Sequence, residues 1–163
     1  MPSITLKWDI SKKLFSVPVH LSRNISKMRE RPESYNCDVM MYVDTGSGIS
    51  SITDKEAYEL GYDISSLEKM RVVGIGGFTE TPIAHGITVF FFLTDGSPYG
   101  LNLEKIMVSP EQVNKVREKT RGDYRQTHTI NAEMPKLLGL DAIEKLGGEL
   151  RLNLRDKTGE IIF

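Results

Sequence analysis

The strongest chemical signal in the chain is Tyr42-Val43-Asp44-Thr45-Gly46-Ser47, an apolar run that ends in a carboxylate followed by a hydroxyl residue and a glycine. A carboxylate moves protons in general acid–base catalysis when it is held rigidly, and the end of a strand holds it so. Thr45 offers a hydroxyl that can bond to backbone and lock the loop, and Gly46 permits close backbone approach. Ser47 adds a second hydroxyl, placed to hydrogen-bond the ionised carboxylate and favour its charged form. The same triplet also suits a plain Asx-type turn at a strand end, so its neighbours matter.

Two further stretches stand in order behind it. Val72-Val73-Gly74-Ile75-Gly76-Gly77-Phe78 sets glycines around an isoleucine between two strand-like runs, which predicts a mobile hairpin. It lacks the Gly-x-Gly-x-x-Gly spacing and following helix of a phosphate-cradling loop. Leu137-Leu138-Gly139-Leu140-Asp141-Ala142-Ile143 reads as a buried strand turning into a helix.

Other chemistries are poorly supplied. His20, His85 and His128 fall in separate segments without metal-ligand spacing, so no metal site is expected, and carboxylate acid–base chemistry needs no organic cofactor. The lone Cys37 excludes an intramolecular disulfide and reads as a small apolar residue. With 21 Lys plus Arg against 22 Asp plus Glu the formal charge is −1, which offers no electrostatic footprint for nucleic acid. The longest apolar run, Ile87 to Leu93, is far short of the roughly 20 residues a membrane helix needs. Met1 to Leu14 mixes charges into its apolar residues and lacks the core of a secretion signal, so a cytoplasmic location is expected.

The elements that position these residues are mainly β. Strands are predicted at 15–21, 38–43, 70–74, 85–93, 101–108, 149–154 and 161–163, separated by turn residues. In Glu149-Leu150-Arg151-Leu152-Asn153-Leu154 all three leucines share one face of a half-buried strand, and Arg155 to Gly159 turns it back as a hairpin. Three helices carry end signals. Thr53 caps the first, answered by Glu56 and stopped by Gly61. Ser109, Pro110 and Gln112 open a second, charged one on the surface, running towards Gly122. Asp141 caps the third, with Glu144 answering and Gly147-Gly148 ending it. Residues 1–163 form a single domain, with polar insertions at about 22–36 and 110–134.

The three stretches in this order resemble the retropepsins, the retroviral-type aspartic proteases, over about Phe15 to Leu154. The resemblance implies a closed β-barrel protomer with a flap hairpin, a short C-terminal helix and, here, the inserted surface helix. It implies Asp44 as the catalytic residue, with Thr45, Gly46, Ser47, Leu138 and Gly139 supporting its loop. Gly74, Ile75, Gly76, Gly77 and Phe78 would be the flap over bound substrate.

Aspartic proteolysis needs two carboxylates sharing one proton. No other aspartate here is followed by Thr-Gly or Ser-Gly, so a homodimer acting on a peptide or protein substrate is implied. The alternative is an inactive dimeric module of the same fold that binds peptides or proteins through the cleft. Gly48 and Ile49 stand where viral enzymes commonly carry acidic residues that grip peptide backbone, and Leu140 stands where they carry arginine.

Overall fold

The computed structural model describes residues 1–23, 35–74, 77–110, 112–121 and 124–163, with the strands of 112–133 given by their backbone pairing alone. Alternating apolar positions build a ring of strands. In β2 (Leu14–Arg23), Phe15, Val17, Val19 and Leu21 turn to the core, and the strand runs antiparallel to β3 (Asn36–Val43), with Ser16 opposite Tyr42. β6 (Gly77–Phe92) and β7 (Pro98–Ser109) form a long hairpin, closed where Asp95 accepts from the Ser97 amide and hydroxyl.

Two very short strands join these pairs. β4 (Ser51–Thr53) lies parallel to β7, and β10 (Leu137–Leu138) lies parallel to β3 and antiparallel to β4. Because β2 also pairs with β6, from His20–Phe90 to Arg23–Ile87, the run β2-β3-β10-β4-β7-β6 returns to its start. Leu21, Met41, Ile52, Val89, Ile106 and Leu138 pack in the core with no exposed surface. Each such side chain contributes roughly 1.5–3 kcal/mol by leaving water.

Strands outside the ring extend it at both ends. β5 (Lys69–Gly74) pairs with the first part of β6. At the other end β1 (Ser3–Asp9) changes partners along its length, with Ser3 to Leu6 on β12 (Thr158–Ile162) and Lys7 to Asp9 on β2. β11 (Glu149–Asn153) completes that layer as the expected C-terminal hairpin with β12. Its leucine face is covered less than its alternation predicts: Leu150 packs against the core, but Leu152 is 44% and Leu154 62% exposed at the sheet edge.

The helices refine the sequence reading. α1 (Asp54–Glu59) has the expected capping box: Thr53 is the N-cap, and Glu56 accepts from its backbone N–H at 2.9 Å and from its hydroxyl. α2 (Leu140–Leu146) ends at Gly147 as predicted but begins at Gly139 rather than Asp141, whose carboxylate is used elsewhere. The inserted surface helix is not formed. Residues 112–121 and 124–133 are instead two antiparallel strands, β8 (Gln112–Arg121) and β9 (Tyr124–Glu133), in register from Gln112–Glu133 to Arg121–Tyr124. Val113, Val116, Thr120, Thr127, Thr129 and Ile130 are β-branched, and Gly122-Asp123 between them is a two-residue hairpin signal that outweighs a thin helical stripe. The insertion expected at 22–36 falls mostly outside the described residues. Among the described residues no helix is long and apolar enough to cross a membrane.

Candidate active site

Asp44 leaves the end of β3 half-buried, and the strand beside it is the reason it stays there. β10 runs parallel to β3 with Leu138 level with Val43, and the Asp44 amide donates to the Leu138 carbonyl at 3.0 Å. The chain then turns tightly. The Ser47 amide donates back to the Asp44 carbonyl at 3.2 Å, and the Gly46 amide donates to Asp44 Oδ1 at 2.9 Å. One carboxylate oxygen is thereby aimed by the backbone of its own loop.

The Leu-Leu-Gly stretch braces this loop from behind. The Leu140 amide donates to the Ser47 carbonyl at 2.8 Å, so the start of α2 is tied to the loop. A Cβ on Gly139 would lie 2.8 Å from the Ser47 carbonyl oxygen and 2.8 Å from the Ile49 carbonyl carbon. Backbone meets backbone there, which is why the position needs glycine. Leu138 is fully buried beneath it.

Two residues that the sequence reading did not place in this brace hold it together. Ser50, fully buried, donates its hydroxyl to Asp141 Oδ1 at 2.7 Å and its amide to the same oxygen at 2.8 Å. The Ser50 hydroxyl also accepts from the Gly139 amide at 3.0 Å. Asp141 is therefore a clamp across the loop rather than the helix cap. Ser50 and Asp141 lie 91 positions apart, so no local pattern could have joined them.

Two expected hydroxyl roles differ from what the loop contains. The Ser47 hydroxyl donates to the Ile49 carbonyl at 2.7 Å rather than to the Asp44 carboxylate, because the turn carries it away from the acid. Thr45 is exposed and makes no hydrogen bond to any described residue. The strand leading into the loop has its own anchor. The Tyr42 hydroxyl donates to Asp9 Oδ2 at 2.8 Å, while Asp9 Oδ1 accepts from the Ser11 hydroxyl and from the Ser11 and Lys12 amides. These donors, the Ser11 hydroxyl first, hold the Asp9 carboxyl down at about 2, below its ordinary 3.8.

Across from the loop, β5 and the start of β6 form the glycine-rich hairpin, with Val73 opposite Phe78 and Gly74 opposite Gly77. Gly77 has φ 106°, a conformation that favours glycine. Ile75 and Gly76 lie outside the described residues. Val73 is 70% and Phe78 65% exposed, and the Arg71 guanidinium sits 3.9 Å over the Phe78 ring. A cleft of about 430 Å³ lies between hairpin and loop. Asp44, Gly46, Ser47, Gly48 and Ile49 line one side, with Met70, Arg71, Val72 and Val73 on the other, and Met107 and Leu137 complete it. Among the sequence-predicted residues, Asp44, Gly46 and Ser47 are thus brought to one cleft, and Leu138 and Gly139 stand behind it.

The remaining candidates lie apart. Cys37 is buried in β3, where loss of solvation pushes its thiol up to about 12 and keeps it neutral. His20 pairs with Asp38 across β2 and β3 at 2.7 Å, and His85 Nδ1 lies 3.0 Å from the Glu104 carbonyl oxygen. The His128 side chain falls outside the described residues. Among the described residues no three metal-ligating side chains come together.

No protein-family model and no curated protein matches the chain. Among solved structures, its fold is similar to that of a retropepsin-like aspartic protease from Rickettsia conorii, with a TM-score of 0.55 and 16% identity, over 99% of this chain and 90% of that one.

Proposed function

We propose that this chain is an aspartic endopeptidase that works as a homodimer, with Asp44 of each copy as the catalytic residue. The observation that carries the reading is the Asp44 carboxylate, aimed by the Gly46 amide and facing a peptide-sized, mostly apolar cleft under a glycine-rich hairpin. The fold likeness to a retropepsin-like protease supports it.

Each chain supplies one such acid, and the chemistry needs two. Two carboxylates brought together at a twofold axis cannot both ionise, so they share one proton. The ionised member draws a proton from water, whose oxygen attacks the scissile carbonyl, while the protonated member gives its proton to the carbonyl oxygen. The brace behind the loop keeps each acid in place, which fits a reaction that depends on orientation. The hairpin of Gly74 to Phe78 covers bound peptide and excludes water.

The test is cleavage of an unfolded protein from pH 3 to 7 by the wild type and by Asp44→Asn at matched concentration. Wild-type cleavage that falls on dilution, and a loss on the order of 10³-fold or more in Asp44→Asn, are expected. If both proteins stay folded and dimeric and neither cleaves at any pH, the catalytic reading fails and a peptide-binding module of the same fold takes its place.

A further inference from the structure

The β8–β9 ribbon takes no part in the proposed catalytic step. It forms a two-stranded sheet of its own, separate from the ring, in register from Gln112–Glu133 to Arg121–Tyr124. Alternate residues of a strand share one face, and residues directly opposite in an antiparallel ladder share it too. Lys115, Arg117, Lys119 and Arg121 therefore stand in a row on one face, at steps of about 7 Å. Opposite them on that face are Ile130, His128, Gln126 and Tyr124. The acids of the two strands, Glu118 and Glu133, fall on the other face, as does Arg125. A helix over the same residues would scatter the four cations, since alternate residues there lie about 200° apart. The strand pairing gathers them, and the formal charge of −1 over the whole chain hides this segregation.

The ribbon is rooted at the cleft. Positions 110–111 separate β7 from β8, and 134–136 separate β9 from β10. Met107 of β7 and Leu137 of β10 both line the cleft, on either side of Ser51, with which each is paired. Lys115 is thus at most roughly 30 Å of chain from Met107, a distance that about nine residues of extended peptide span. Four like charges with no acid between them call for a partner of opposite sign. Nucleic acid complements the row of cations but not the cleft. A polypeptide with an acidic stretch beyond its cleaved segment complements both.

We propose that the cationic face of β8–β9 is a docking site for an acidic stretch of a substrate polypeptide, held near the bond that is cut. This rests on the reading of Asp44 as the catalytic residue and names its substrate class: extended chains with several Asp or Glu residues outside the cleaved segment. A strand with acids at alternate positions repeats at the same step as the row of cations.

The test takes a segment that the wild type cuts in an unfolded protein and joins it, through a Gly-Ser linker of about ten residues, to a tail. The tail alternates Glu with Ser, or Gln with Ser. Cleavage is measured at about 50 and about 200 mM salt. The proteins are the wild type, a variant carrying Lys115→Gln, Arg117→Gln, Lys119→Gln and Arg121→Gln together, and Arg125→Gln on the other face. The wild type is expected to favour the Glu tail by roughly 10-fold at the lower salt, mainly in KM, and by less at the higher. The fourfold variant loses that preference while cutting the tail-less segment as before, and Arg125→Gln keeps it. Should the fourfold variant fail to fold, the pairs Lys115→Gln with Arg117→Gln and Lys119→Gln with Arg121→Gln replace it, each losing part of the preference. Binding of the fluorescent tails, and of fluorescent single-stranded DNA, is measured on Asp44→Asn with and without the same substitutions.

Equal cleavage of Glu-tailed and Gln-tailed substrates by an Asp44-dependent wild type overturns the proposal and leaves the protease reading standing. A Glu preference that survives the four substitutions, or that Arg125→Gln abolishes equally, overturns it too. If no segment is cleaved, the protease reading fails separately, and binding to Asp44→Asn decides on the ribbon. Tighter binding of the Glu tail that needs the four cations supports the docking site. Equal binding of the two tails overturns it, as does DNA bound more tightly than the Glu tail through the same cations.

Discussion

The two sides of the cleft are built in opposite ways. On the Asp44 side, backbone from β3, β10 and the start of α2 is tied together by the Leu138, Ser47 and Ser50 bonds, over residues with almost no exposed surface. On the hairpin side, the tip carries exposed Val73 and Phe78, held by the β5–β6 ladder and one arginine–aromatic contact. Buried, fully bonded backbone opens only at a large fraction of the global unfolding cost, whereas an exposed tip with few packed neighbours opens at little. In the proposed function the acid sits on the stiff side, where position matters, and the proposed cover on the side with fewer packed neighbours.

The sharpest way to break the contrast is Gly139→Ala. The added Cβ meets backbone on two sides at 2.8 Å, so a loss of about 2–3 kcal/mol is expected. For a chain of this length, that is a fall in Tm of roughly 5–10 °C by calorimetry. An unchanged Tm would show that the loop yields easily and that the stiff side is not stiff. Ser50→Ala comes next. It leaves the Gly139 amide and Asp141 without their hydroxyl partner in a buried place, at a cost of about 1–3 kcal/mol read by urea denaturation. The damage should reach cleavage as well, since the Asp44 loop loses its clamp.

Phe78→Ala probes the other side. Its ring is mostly exposed, so stability should change by no more than about 0.5 kcal/mol, while KM for peptides rises several-fold because the cover loses its apolar tip. A large loss of stability with unchanged KM would reverse the assignment of the two sides. The smallest effect is expected at Asp9→Asn, and it is a matter of pH. The Asp9 carboxyl is held at about 2 against an ordinary 3.8, so it stabilises the fold above about pH 4 and that contribution disappears as the pH falls through about 2. The variant should therefore melt below the wild type at pH 7, with the gap closing between pH 4 and pH 2. A gap that stays constant with pH would show that Asp9 acts on the Tyr42 strand without its charge.

Much of this arrangement was legible before any coordinates. Phe15 to Leu21, Asp38 to Val43 and Leu101 to Val108 alternate or cluster strongly enough to mark β2, β3 and β7, and Thr53 with Glu56 marked α1 to within a residue. β4 and β10, at three and two residues, are too short to show any period, although they carry the parallel pairings that set Leu138 beside Val43. β1 escaped notice because it changes partners midway and buries Ile4 and Leu6 among charged and polar neighbours. The helix expected after Ser109 does not form because its local start signals are weaker than the β-branched residues of the two strands that take its place.

By itself the sequence determined which residues could do chemistry and roughly which strands present them, since a period of two, a capping box and an Asp-Thr-Gly triplet are all local. The tertiary structure alone decided what stands behind Asp44 and what faces it. The Ser50–Asp141 clamp, the close approach at Gly139 and the placing of Met70 and Val72 across the cleft join residues far apart in the chain. Contacts of that kind arise only when the ring closes, because ring closure, and no local preference, sets which backbone meets which.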